Sequence, residues 1–68
     1  MKSIHKSLGD VRRRINDSAV EIISEERLPN SLETKFVTAH GHVVVAYDSG
    51  NAVIQGKNQE QMEKIMTR

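Results

Sequence analysis

Ile4, Leu8, Val11, Ile15, Ala19 and Ile22 recur at steps of three and four, the spacing of one stripe on an amphipathic helix. That stripe turns Arg12, Arg13, Asn16, Asp17 and Glu21 largely outward. Gly9-Asp10 weakens the first turn, and Asp10 and Ser7 are the candidate N-caps. The helix must stop before Pro29, because the residue preceding a proline avoids helical backbone. The pattern therefore predicts a helix over roughly 5–27. After the break at Pro29-Asn30-Ser31 the period falls to two. Lys35–Ala39, His42–Tyr47 and Asn51–Gln55, rich in Val, Thr, Tyr and Phe, read as three short strands joined by turns at His40-Gly41 and Asp48-Ser49-Gly50. Asn58 with Gln61 three residues later has the form of a capping box, and Met62, Ile65 and Met66 give a second helix its apolar stripe. The expected fold is α+β: one small α-β-β-β-α domain over residues 1–68, a three-stranded antiparallel sheet with both helices on one face.

Turn geometry decides which side chains share a face. A three-residue Asp48-Ser49-Gly50 loop pairs Tyr47 with Asn51 and Val45 with Val53. One face then carries Val43, Val45, Tyr47, Val53 and Gln55, and the other Val44, Ala46, Ala52 and Ile54. A two-residue turn at His40-Gly41 would set Phe36 opposite Val45 and bring both aromatics of the chain onto the first face. Both faces are apolar, whereas a half-covered antiparallel sheet usually alternates hydrophobic-in with polar-out. Either the bulkier face is the core under the helices, or the smaller residues pack there and the aromatic face binds something. A one-residue slip in either loop exchanges the two.

Composition narrows the classes of function. In 68 residues there is no cysteine, hence no disulfide framework and no thiol nucleophile. Ten basic against nine acidic residues leave a net charge of +1, so any nucleic-acid binding needs local sorting of charge. Arg12-Arg13-Arg14 is the one basic run. It reads either as a phosphate-tracking patch or as a solvated helix face balanced by Asp10, Asp17, Glu25 and Glu26. The longest apolar run, Val43–Tyr47, is far short of a membrane span, and no export signal follows Met1–Lys6. The expectation is a cytoplasmic chain. His40, His42 and His5 lack the spacing of a metal site, and Asp48, Ser49 and His42 make no catalytic set. A non-enzymatic protein without a cofactor is expected.

Residues 47–57, Tyr-Asp-Ser-Gly-Asn-Ala-Val-Ile-Gln-Gly-Lys, resemble the signature hairpin of the ribonuclease HIII N-terminal domain: an aromatic, one residue, Ser-Gly-Lys, three apolar residues, then Gln-Gly-Lys and an acidic helix. Arg27-Leu28-Pro29 and the strand Val43–Tyr47 also sit where that family places them. More distantly the pattern is similar to one repeat of the TATA-box-binding protein. The resemblance implies a TATA-box-binding-protein-like (TBP-like) fold, helices on one side and a sheet that meets nucleic acid with the other. By position, Val45, Tyr47, Val53 and Gln55 would face the nucleic acid. The family's Lys after Ser-Gly is Asn51 here, which removes one expected phosphate contact. The α-β-β-β-α order is also that of double-stranded-RNA-binding domains, but their lysine cluster is replaced by Lys57-Asn58-Gln59-Glu60.

Two functions are therefore expected. The first is a module contacting a duplex or an RNA–DNA hybrid through Phe36, Val45, Tyr47, Val53 and Gln55, with Lys35, Lys57 and Arg12, Arg13 and Arg14 supplying charge. The alternative is a small protein-interaction protein, of the inhibitor, antitoxin or phage-regulator kind, whose same face binds a protein partner or a second copy as a homodimer.

Overall fold

Ser7 starts the first helix: its hydroxyl accepts the Asp10 N–H at 3.2 Å, and α1 runs Leu8–Asp17. The computed structural model describes residues 2–28, 30 and 32–67. Five strands surround and follow α1: β1 Lys2–Ile4, β2 Ile22–Leu28, β3 Glu33–Thr38, β4 His42–Tyr47 and β5 Ala52–Gly56. A second helix, α2, spans Gln59–Thr67. The sheet order is β1-β5-β4-β3-β2, every neighbouring pair antiparallel. β2 to β5 form a meander, and β1 closes the far edge beside β5.

The expected helix over 5–27 and the three-stranded sheet are thus corrected. Helix α1 stops ten residues early, where Ser18 caps it with its N–H on Arg14 O and Ile15 O and its hydroxyl on Ile15 O at 2.7 Å. Ala19 then turns left-handed (φ 64°) and redirects the chain. Residues 22–28, expected as the helix's last turns, instead pair with β3 over their whole length, interrupted by a bulge between Ile22 and Ser24. The three residues of β1 pair with Ile54, Val53 and Ala52. The break expected at Pro29–Ser31 lies partly outside the described residues, at Pro29 and Ser31.

Side chains alternate across each strand. Phe36, Val44, Ala46, Ala52 and Ile54 point to one face, where Val11 and Ile15 of α1 and Met62, Ile65 and Met66 of α2 pack onto them with Val20 to form the core. Both helices cover that face. Small alanines on the central strands let α1 and α2 approach the sheet, while Phe36 fills the volume beneath Arg12.

The second helix does not begin as the capping-box pattern predicts. Asn58 is left-handed (φ 56°) and donates its side-chain N–H to His40 O at 2.9 Å. Gln61 turns inward to His42 rather than back to Asn58. The hydrogen-bonding residues of the pattern are present, but they tie α2 to the β3–β4 loop instead of to its own first turn.

Candidate binding face

The face away from the helices is set by register. Across one level stand Gln55, Val43, Val37 and Ser24; across the next Ser3, Val53, Val45, Lys35 and Glu26; across the third Asn51, Tyr47, Glu33 and Leu28. Four valines and Tyr47 make a continuous apolar centre. Val45 is only 9% exposed although no helix of the described residues lies over it, because neighbours on both sides enclose it. Val37, Val43, Tyr47, Val53 and Gln55 are half-buried. Ser3, Ser24, Glu26, Glu33 and Asn51 form a polar rim.

Two loops fix this arrangement. The Asp48-Ser49-Gly50 loop has three residues, with Tyr47 N donating to Asn51 O at 2.8 Å and Gly50 left-handed at φ 96°. Arg27 grips the loop from β2, its guanidinium donating to both Asp48 oxygens at 2.7 and 2.6 Å. This pairing holds the Asp48 carboxyl below the usual carboxylate range and raises the Arg27 guanidinium. At the other end Val37 faces Val43, so the β3–β4 loop is Ala39-His40-Gly41 rather than a two-residue turn.

That extra residue reverses the parity of β3. Phe36 lies opposite Val44, is fully buried, and belongs to the core, not to the candidate face. The structure brings together Val45, Tyr47, Val53, Gln55 and Lys35 and removes Phe36 from the set. It adds Val37, two residues beyond Lys35, which the sequence places there once the loop length is known.

The arginines lie elsewhere. Arg12 forks onto Glu25 at 2.6 and 3.4 Å and lies 5.9 Å from the centre of the Phe36 ring, on the helix side. Arg13 pairs with Asp10 at 3.0 Å, and Arg14 reaches Ile65 O at 3.5 Å between the helices. Lys57 follows β5, its N–H on Gly41 O and its aliphatic stem packed against Gly41. Lys35 is therefore the one cation among the expected charge donors that stands on the valine face, and it does so between two glutamates, Glu26 and Glu33, on neighbouring positions.

The histidines do not converge. His5 Nδ1 lies 2.8 Å from Asn51 Oδ1, while His42 is spent on Thr38 and Gln61. Among the described residues no three or more His, Asp or Glu side chains group in a way that could hold a metal ion. No helix among them is long and apolar enough to cross a membrane.

No protein-family model, no curated protein and no solved structure matches the chain.

Proposed function

We propose that the chain is a non-catalytic binding module that holds a nucleic-acid duplex or an RNA–DNA hybrid against its uncovered sheet face. The observation that carries the reading is a coincidence of two independent lines. Val45, Tyr47, Val53 and Gln55 are the positions that the resemblance to the ribonuclease HIII N-terminal domain assigns to nucleic acid. They also lie side by side on the face the helices leave open. Apolar side chains on a sheet suit the sugars and base edges of a shallow groove, with Tyr47 and Gln55 offering polar atoms at its border.

A salt titration with duplex and hybrid oligonucleotides tests it. Binding should weaken as salt rises, Tyr47→Ala should cost about tenfold in affinity, and Lys35→Glu should lower the salt slope by about one. Absence of binding at low salt to either probe would sink the reading.

One observation favours a second reading. The face carries one lysine against two glutamates, Glu26 and Glu33, and the arginines sit behind the sheet, Arg12 and Arg13 in ion pairs and Arg14 on Ile65 O. Phosphate neutralisation supplies most non-specific affinity for nucleic acid, and this face offers little of it. An apolar centre inside a polar rim is the anatomy of a protein interface, so a protein partner or a second copy would occupy the same residues. Light scattering over a range of concentrations separates the cases. A mass that doubles with concentration and reverts in Tyr47→Ala supports self-association, and a constant monomer that captures no oligonucleotide leaves only a foreign protein partner.

A further inference from the structure

Behind the sheet, one titratable ring is sealed into the core. His42 is 0% exposed, at the first position of β4. Its Nδ1 lies 2.8 Å from Thr38 Oγ1 and its Nε2 3.1 Å from Gln61 Oε1. Thr38 Oγ1 also accepts the backbone N–H groups of His40 and His42, at 3.3 and 3.2 Å. A hydroxyl has two lone pairs and one proton. With both lone pairs taken, the Thr38 hydroxyl donates its proton to Nδ1. The ring proton is then on Nε2, donating to the Gln61 carbonyl oxygen.

Every group at this junction is satisfied by the neutral ring in that single tautomer. A second proton, on Nδ1, would meet an oxygen with no lone pair to spare. Either a backbone N–H of the β3–β4 loop gives up its partner, or the ring leaves its place. Unpaired polar groups are expensive at such depth.

Gln61 is the α2 side of this junction. A helix of nine residues is not stable alone, and α2 is held by Met62, Ile65 and Met66 on the core and by the Gln61–His42 bond near its start. The charged groups around the ring come from every neighbouring segment: His40 on the loop, its ring centre 5.9 Å away, Lys57 against Gly41, Glu21 ahead of β2, and Glu60 and Lys64 on α2. None of the ring's bonds is to a carboxylate. Burial and, secondarily, the His40 charge disfavour the charged ring, and only the Gln61 bond opposes them.

We infer that His42 is a pH-operated latch on the β3–β4 loop: neutral, it takes the Thr38 hydroxyl proton and leaves Thr38 Oγ1 free to hold the loop; protonated on Nδ1, it displaces a backbone N–H of the loop from that oxygen while Nε2–H stays on Gln61. This device lies on the opposite side of the sheet from the proposed binding face and does not depend on that reading. Its sign follows from burial. The open form takes up the proton more readily than the closed form, so closure is complete above the ordinary histidine value of about 6.5 and weakens as pH falls below it.

Hydrogen exchange on the whole chain, corrected for intrinsic rates, tests the latch between about pH 7.5 and pH 5. The open population of the loop, read at the His40 and His42 amides, should rise by up to about tenfold per pH unit below about 6.5, while the amides of Val44 and Ile54 keep their protection. Unchanged protection at His40 and His42, or loss in step with Val44 and Ile54, overturns the proposal. Gln61→Glu, at an exposed position, sets a carboxylate against Nε2–H and favours the charged ring. It should flatten the rise in loop opening below about pH 6.5, because the closed and open forms then differ less in proton affinity, and a profile superimposed on that of the unsubstituted chain also overturns the proposal.

Discussion

Phe36 stands directly across from Val44 on β3 and β4, and this pairing sends the phenylalanine ring into the helix-covered core, with the Arg12 guanidinium 5.9 Å above it. The two aromatics of the chain are thereby separated by the thickness of the sheet. Phe36→Ala should leave a cavity and cost about 3–5 kcal/mol, a large part of what a domain of this size possesses. Tyr47→Ala, on the uncovered side, should move a urea midpoint far less and act instead on ligand binding. A larger stability loss for Tyr47→Ala than for Phe36→Ala would overturn the assigned register.

Ala19 occupies the left-handed position just past the end of α1 (φ 64°), where glycine is the usual residue. Its Cβ costs about 1–2 kcal/mol there, of which the extra freedom glycine gives the unfolded chain returns roughly half. The side chain is exposed and packs on nothing in the core. Ala19→Gly should therefore stabilise the protein by about 0.5–1 kcal/mol, read as a raised midpoint at constant urea m-value. A destabilised variant would mean that residue 19 does not reverse the chain.

The same residue explains what the sequence hid. Alanine at a helix stop carries no sign of stopping, and Ile15, Ala19 and Ile22 continue the helical spacing straight through it. Strand β2 adds to the disguise. It is an edge strand exposed over most of its length, with a bulge at Ile23, so its alternation of apolar and polar residues is broken at its start. At three residues, β1 is shorter than any periodicity can register. Strands β3 to β5, paired on both sides and half-buried or better everywhere but Gly56, were legible because each position has one face to satisfy. On the candidate face, Val45, Tyr47, Val53 and Gln55 followed from the Asp48-Ser49-Gly50 loop, whose glycine signals its length. Phe36 was misplaced because His40-Gly41 is compatible with both a two-residue and a three-residue connection.

Two glycines with similar backbones should respond very differently to alanine. Gly50 and Gly56 are both left-handed, at φ 96° and 79°. A Cβ on Gly50 meets nothing within 4 Å, whereas one on Gly56 would lie 2.6 Å from Gly41 O. That oxygen already accepts the Lys57 N–H at 2.9 Å, so it cannot withdraw without opening the start of α2. Gly50→Ala should cost about 1–2 kcal/mol from backbone strain alone, and Gly56→Ala clearly more. Equal urea midpoints for the two variants would show that Gly41 yields freely.

The fork between Arg27 and Asp48 gives a pH dependence of its own, lower than the window of His42. Hydrogen bonds from Arg27 hold the Asp48 carboxyl below its ordinary value of 3.8. The unfolded chain therefore binds the proton first. The stabilisation is complete above pH 3.8 and is lost as pH falls from there through the folded-state value. Both partners are exposed to solvent, so the effect should be modest and shrink with added salt. Subtracting the thermal midpoints of Asp48→Asn from those of the unsubstituted chain isolates it from the other carboxylates. The difference should be constant above about pH 5 and narrow below about pH 4, with Gln61→Glu leaving it untouched. A difference that does not change across the acid range would show that Arg27 does not hold the Asp48 loop in solution, and with it that the loop's three-residue geometry, which aligns Val45 with Val53, is maintained by Gly50 and the Tyr47–Asn51 pairing alone.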